Sequence, residues 1–269
     1  NVFIGTGTTL ADVRRVYNSY LDAQLQTSTS LNSDAQAYLG QATQVDKLLS
    51  DSGTGVTKSL QAFFSSLQTL AGNSNDNAAR QALLTNAQGL SSRFNAISGQ
   101  LKQQGSYIND QLGSMADQVN KLASTVAAYN KKISEVSGSG GTPNELLDQR
   151  NETIRQLNEL VGTQVTETEG RMDIYLGSGQ PLVVGDTVNK LRVAADPADP
   201  TRSSIIMDRN GSSIDITNVM SGGEMGGLLR YRNEVLTPAV NGLGRIAMVV
   251  ADQVNKQLGQ GLDQSGNFG

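Results

Sequence analysis

Between residues 81 and 136 the apolar side chains fall at Leu83, Ala87, Leu90, Phe94, Ile97, Leu101, Ile108, Leu112, Met115, Val119, Leu122, Val126, Tyr129, Ile133 and Val136. These are steps of three and four almost without a miss, and no proline interrupts them. Alternating threes and fours keep one narrow apolar stripe on a single helix face, the pattern of a coiled-coil-like seam. Gln104 is a polar member of that seam, and the four-residue step from Ile108 to Leu112 reads as a stutter that relaxes supercoiling. At ~1.5 Å per residue such a helix reaches on the order of 80 Å, far beyond an ordinary globular helix.

A second stuttered stripe precedes it. Leu10, Val13, Tyr17, Tyr20, Leu31, Ala35, Tyr38, Ala42, Val45 and Leu49 keep the same rhythm, with Gln24 and Thr27 filling the intervening seam positions. Thr9, three residues before Asp12, is the expected N-cap. Two long stuttered helices in one chain are expected to bury their stripes against each other, antiparallel. Between them a polar loop at 51–55 leads to a shorter helix at 56–71, with Leu60, Phe63, Phe64, Leu67 and Leu70 on its apolar side. The polar turn 72–77 then opens the long helix near Ala78, where Asp76 and Arg80 read as a surface pair four residues apart. After the Ser/Gly linker 137–142, Pro143 is expected in the first turn of a helix through Val161, with Gly162 as its C′ glycine.

The period then changes. Segments 164–168, 172–176, 182–184, 190–193, 204–208 and 213–217 are short, and several alternate apolar with polar, as strands do. Asn210-Gly211 predicts a type I′ hairpin, which needs positive φ at both central residues. Gly177, Ser178 and Gly179 predict another turn, and Asp196-Pro197-Ala198-Asp199-Pro200 a loop outside any sheet ladder. The glycine-rich run 221–227 reads as a flexible return to helix. From there Leu228 to Val235 and then Val240, Leu243, Ala247, Val250, Val254 and Leu258 resume the stripe, with Thr237-Pro238 as either a kink or a new cap and N1. The expected fold class is α+β: an elongated antiparallel helical bundle with long coiled-coil-like helices and a small inserted antiparallel β domain. The expected organisation is a helical part at 1–162, the β domain at 163–218, and a returning helix with tail at 219–269. The β domain is expected at one end of the bundle, facing outward.

Composition narrows the chemistry. The 269 residues carry a formal charge of −4 and contain no cysteine, histidine or tryptophan. Without histidine the commonest acid–base group near neutral pH is missing, and without cysteine so are the thiol nucleophile and thiolate ligands. Neither metal nor covalent catalysis is expected, and no catalytic, cofactor-binding or metal-binding residue is assigned. Aromatics make up only 4% of the chain, and those at seam positions are expected in the core. No run approaches ~18 uninterrupted apolar residues, the longest being 246–251, so no membrane association is expected. The acidic balance, with Arg14-Arg15 as the only small basic patch weighed, argues against nucleic acid.

Several motifs resolve into ordinary surface. Gly222, Gly223, Gly226 and Gly227 lack the Gly-Lys-Ser/Thr of a phosphate loop and the strand-to-helix dinucleotide spacing, and read as linker. Asp263 to Asn267 lacks the alternating acids of a calcium loop. Glu167 with Glu169 and Glu145 with Asp148 are carboxylate pairs outside any recognisable cleft. Asn151 and Asn210 begin glycosylation sequons, which have meaning only in a secreted eukaryotic chain.

Four runs carry a resemblance: TGVTKSLQAFFSSLQTLA at 54–71, NDNAARQALL at 75–84, PNELLDQR at 143–150 and GGEMGGLLRYR at 222–232. Together they resemble the flagellar hook-associated protein 1 family, the hook–filament junction proteins, over nearly the whole chain. Arg80 and its surroundings are shared loosely with flagellin, whereas 144–150 and the glycine-rich return are more particular to the junction family. The resemblance implies an extracellular structural protein of the bacterial flagellum, exported by the flagellar secretion apparatus and assembled between hook and filament. It also implies the hook protein and the second hook–filament junction protein as partners. Because the chain opens on Asn1 and lacks the family's terminal helical segments, it is expected to be an excised piece, monomeric alone although the full-length protein self-associates. An enzyme housed in the β domain, and a coiled-coil adhesin or flagellin-like subunit, are the competing readings. The first needs a convergent cluster in a cleft, and the adhesin predicts a parallel trimer.

Overall fold

The computed structural model describes residues 18–50, 55–177, 179–209 and 211–261. Its elements are four helices, seven short strands in two sheets, and a final helical stretch. In order, α1 is Ser19–Ser50, α2 Val56–Gly72, α3 Asn77–Gly138 and α4 Asn144–Leu160. The four-stranded antiparallel sheet follows, with β1 Thr163–Thr168, β2 Arg171–Leu176, β3 Gln180–Val184 and β4 Thr187–Val188. The second, three-stranded sheet comprises β5 Lys190–Ala195, β6 Ser203–Arg209 and β7 Ser212–Asp215. The chain closes with α5 Gly223–Tyr231, a π turn Arg232–Leu236, and α6 Thr237–Gly259.

The long helix is the frame. Its 62 residues correspond to about 90 Å at ~1.5 Å per residue. Ile97, Leu101, Ile108, Leu112, Val119 and Val126 are at most 1% exposed, and each contributes roughly 1.5–3 kcal/mol by leaving water. In the second half the buried positions are Ala123 and Asn130 rather than the expected Leu122 and Tyr129, because strands lie against this face and need small or hydrogen-bonding side chains there. At the helix start the Asp76 carboxylate caps the Ala78 N–H at 2.8 Å, while Arg80 donates to the Ser74 carbonyl at 2.8 and 3.0 Å. The expected Asp76–Arg80 side-chain pair is replaced by these three local bonds.

Several expectations change at α1. Thr9, Leu10, Val13 and Tyr17 lie outside the described residues; α1 itself is capped by Asn18, whose side-chain oxygen accepts from Tyr20 N and Leu21 N. The helix does run antiparallel to α3, with Gln41 bonded to Gln104 and Val45 beside Leu101. Its main partner, however, is α5. Gln26, Ser30 and Val45 are its buried residues, whereas Tyr20, Leu31 and Leu49 of its apolar stripe are 75%, 63% and 38% exposed. The two stripes therefore do not zip together, and the seam aromatics divide between core and surface. Phe63 and Tyr231 are buried, while Tyr20 and Phe64 are exposed.

The glycine-rich run explains the change of partner. Gly223 to Gly227 belong to α5 and are buried there apart from partly exposed Glu224, so the run is a packing surface and not a flexible linker. A Cβ on Gly227 would lie 2.2 Å from the Asp34 carbonyl oxygen, and one on Gly223 2.3 Å from Val161 N. Only glycine lets α5 sit this close to α1 and to the end of α4. Gly162 is present for the same reason: its Cβ would meet the Ser221 carbonyl at 2.3 Å, and it adopts no left-handed C′ conformation. Pro143 stands at the N-cap, one position outside α4.

The strands match the expected segments, with β4 added and Thr217 moved into a 3-10 turn, Thr217–Val219. Pro181 is tolerated in β3 beside a bulge at Ile174/Tyr175, where the ladder is already interrupted. Arg209 pairs with Ser212, so the hairpin has the two-residue loop expected, and Gly211 has φ of 79°.

The helix 223–259 runs unbroken through Thr237-Pro238, since the π turn absorbs the proline. By length and composition alone this stretch is apolar enough to cross a membrane, with a mean hydropathy of 1.2 over its most apolar 18 residues. Seven of its first nine residues are buried, packed against α1, whereas the apolar 18-residue stretch is 11% buried.

Candidate functional site

The distinctive polar geometry of this molecule is where α3 holds the two sheets. Three asparagines on α3, at 109, 120 and 130, recur about every three turns. Asn109 donates to the Thr201 carbonyl at 2.8 Å and accepts from Ser203 N at 3.0 Å, just before β6. Asn120 donates to the Leu191 carbonyl and accepts from Leu191 N, both at 2.7 Å, on β5. Asn130 donates to the Met172 carbonyl at 2.9 Å and to the Gly185 carbonyl at 2.7 Å, and accepts from Met172 N at 3.1 Å. A carboxamide has one donor side and one acceptor side, like a peptide group, so each asparagine meets a strand as a neighbouring strand would. The sheets thus lie along the second half of α3 instead of capping an end of the bundle as expected.

Arg150 completes the innermost clasp. It is 1% exposed and donates to Asn130 Oδ1 at 3.0 Å and to the Gly170 carbonyl at 2.8 Å. One buried side chain thereby joins α4, α3 and the β1–β2 turn. Arg232 plays a similar part at the other sheet, donating to the Ser203 carbonyl at 2.6 Å; burial pushes its pKa down to about 10.

None of these residues was singled out by the sequence reading. The one available signal was the recurrence of asparagine one position after the seam residues Ile108, Val119 and Tyr129, on a helix where its propensity is unfavourable.

The carboxylate pairs weighed above do not converge. Glu167 is exposed on β1, and Glu169 is exposed in the following turn beside Arg171, 3.2 Å away. Glu145 accepts from Gln149 one turn along α4. Among the described residues no three acidic side chains are grouped to hold a metal ion. Arg14, Arg15 and Asp263 to Asn267 lie outside the described residues. The apolar opening is a groove of about 350 Å3 between α2, α3 and α6, lined by Phe63, Leu90, Phe94, Ala247, Val250 and Val254 among others. Its walls carry no acid or base.

Comparison with known proteins gives the family. Residues 42–269 match the family described as "Flagellar hook-associated protein FlgK helical domain". The chain belongs to the FlgK family. Flagellar hook-associated protein 1 of Salmonella typhimurium is 36% identical over 272 residues, covering 99% of this chain and 49% of the relative. The Escherichia coli protein of that name is 34% identical, covering 99% of this chain and 50% of the relative. The structure of the flagellar hook junction protein FlgK from Burkholderia pseudomallei superposes with a TM-score of 0.87 at 34% identity, covering 92% of this chain and 45% of that one. The chain spans about half the length of the curated FlgK relatives it matches. The α+β architecture of long helices and small antiparallel sheets is thus the fold of a FlgK helical domain.

Proposed function

We propose that this chain serves as the structural strut of a hook–filament junction protein, extracellular in the bacterial flagellum and exported by the flagellar secretion apparatus. The observation that carries this reading is the agreement with FlgK proteins over nearly the whole chain, in sequence and in fold. The physics is consistent with it. A single helix of about 90 Å resists bending, the sheets are bonded to it at three points along its length, and the chemistry is that of packing and hydrogen bonding. We read the protein as acting without catalysis, cofactor, nucleic acid or membrane. Its partners are the hook protein on one side and the second junction protein on the other, with self-association in the full-length protein and a monomeric state for the chain alone. The strands at 163–215 form the laterally projecting part.

The deciding experiment is deletion of the full-length gene followed by complementation. Cells lacking it should build hooks that fail to retain filaments, and restoring the parent gene should bring back swimming. Normal filaments after deletion would remove the junction role. For the isolated chain, light scattering should give the monomer mass, and a stable ring would overturn that part.

A further inference from the structure

The π turn between α5 and α6 has a geometry that the strut role does not need. The backbone stays helical throughout, with φ/ψ near −56°/−43° at Arg232 and −63°/−46° at Thr237. Yet Thr237 N–H reaches back five residues to the Arg232 carbonyl, and the Thr237 hydroxyl donates to the same oxygen at 2.8 Å. A π turn is a one-residue insertion in an α-helix. Pro238 follows at once, and in a regular helix its ring would press on the carbonyl four residues back. Upstream the turn is fixed: Arg232 bonds Ser203, and Asn233 accepts from Arg202 at 2.7 Å. Downstream α6 is held lightly, with Leu243 its only buried side chain.

The apolar pattern of α6 is doubled at two of its four inward seats. Leu243, Ala247, Val250 and Val254 face α3 and the groove, while Ile246 and Val249, one position earlier, are 47% and 60% exposed. If the extra residue of the π turn were taken up into regular helix, each seat on α3 would pass to the preceding residue. Ile246 would replace Ala247, Val249 would replace Val250 and Val250 would replace Ala251, so two seats in the groove of about 350 Å3 would receive bulkier side chains. Gly242 would take the seat of Leu243, and Gln253 that of Val254.

We propose that the π turn is a register switch: α6 has two seats on α3 related by a one-residue screw, the observed one with Ala247 and Val250 inward and a second with Ile246 and Val249 inward. Pro238 and Leu243 hold the first seat, and the second fills the groove. Helix register shifts of this kind belong to the microsecond-to-millisecond range. The proposal does not depend on the junction role.

The chain contains no cysteine, so paired cysteines can report the seat in the whole protein. Ser91→Cys is combined with either Ala247→Cys or Ile246→Cys and treated with a short bifunctional thiol reagent. The 91/247 pair should dominate in the native background. Adding Pro238→Ala should raise the 91/246 yield roughly tenfold or more, because the proline clash no longer penalises regular helix. Deleting exposed Glu234 together with Pro238→Ala should cancel that rise, since removing one residue straightens the helix while leaving Ala247 inward. If Pro238→Ala leaves the 91/246 yield unchanged, there is no second seat. If the rise survives the Glu234 deletion, α6 is merely loose and the switch is wrong. Should the deletion variant fail to fold, the 91/247 yield of the Pro238→Ala variant decides: it falls as 91/246 rises if the seat switches, and does not fall if α6 is merely loose.

Discussion

Asn120 and Leu191 exchange two hydrogen bonds of 2.7 Å, the side-chain amide donating to the Leu191 carbonyl and accepting from its N–H. A helix side chain thus occupies the place of a neighbouring strand on β5. Asn109 and Asn130 do the same for the backbone near β6 and β2. The rod and the sheets are joined by directional bonds as well as by apolar contact, and directional bonds resist sliding.

Removing an amide leaves both a donor and an acceptor of the strand without partners, at ~1–3 kcal/mol for each buried group. Asn130→Ala should therefore cost about 3 kcal/mol or more, since Arg150 also loses its bond to Asn130 Oδ1. Asn120→Ala, partly buried, should cost about 1–2 kcal/mol. Urea denaturation measures both, and amide exchange at Met172 and Leu191 should quicken selectively. Equal, sub-kilocalorie effects at the two sites would mean that packing alone holds the sheets.

The glycines of α5 test a different term. Gly227→Ala places a methyl 2.2 Å from the Asp34 carbonyl oxygen, which forces α5 off α1. We expect a loss of about 3 kcal/mol or more, at the upper end of overpacking penalties. Gly99→Ala and Gly113→Ala, helical positions on α3 with nothing within 4 Å of the new methyl, should instead stabilise by ~0.5–1 kcal/mol through helix propensity. Thermal unfolding of the three variants should show opposite signs.

These two cases mark what the pattern of residues could reveal. The three/four rhythm of α3 and the change to short alternating segments after Gly162 are local signals, and they located the long helices and the strands correctly. Partner choice is not local. The stripe of Tyr20 and Leu31 on α1 looked like a seam, but Gly222, Gly223, Gly226 and Gly227, nearly two hundred residues later, present a surface that only a close approach can use. Glycine in a polar run signals a flexible linker and a tight helix contact equally well. The asparagine clasps were hidden for a related reason: an asparagine on a helix looks like solvent-facing polarity until a strand is seen opposite it.

Acid should weaken the fold over a defined window. Hydrogen bonding from Arg155 and Gln156, aided by the Arg155 charge, holds Glu152 down to about 2, against a burial effect in the other direction. The Ser213 hydroxyl and Arg192 likewise hold Asp208 below the usual carboxylate range. For carboxylates depressed in the folded state, the unfolded chain binds more protons, so their contribution is complete above the unfolded pKa and is lost as pH falls. Stability should be flat above about pH 5 and decline from there toward pH 2. Because these groups are exposed, 0.5 M salt should shrink the decline. Arg155→Gln should remove the share that Glu152 carries, seen as a shallower dependence of the urea midpoint on pH. A slope unchanged by that substitution would place the acid sensitivity elsewhere.

Two exposed leucines of α1 yield the last prediction. Leu31 and Leu39 are 63% and 61% exposed in the isolated chain, whereas Leu101 and Leu112 of α3 are 1% and 0% exposed. Leu101→Ala and Leu112→Ala should each cost about 2–5 kcal/mol through lost transfer energy and a residual cavity. Leu31→Gln and Leu39→Gln should stay within ~0.5 kcal/mol of the parent, because little apolar area leaves water there on folding. If the same glutamine substitutions in the full-length gene reduce swimming while the isolated chain unfolds as before, the two side chains serve contacts in the assembled flagellum. Unimpaired motility would return these leucines to ordinary surface. Nothing in the fold of α1 itself requires them, since its buried residues are Gln26, Ser30 and Val45.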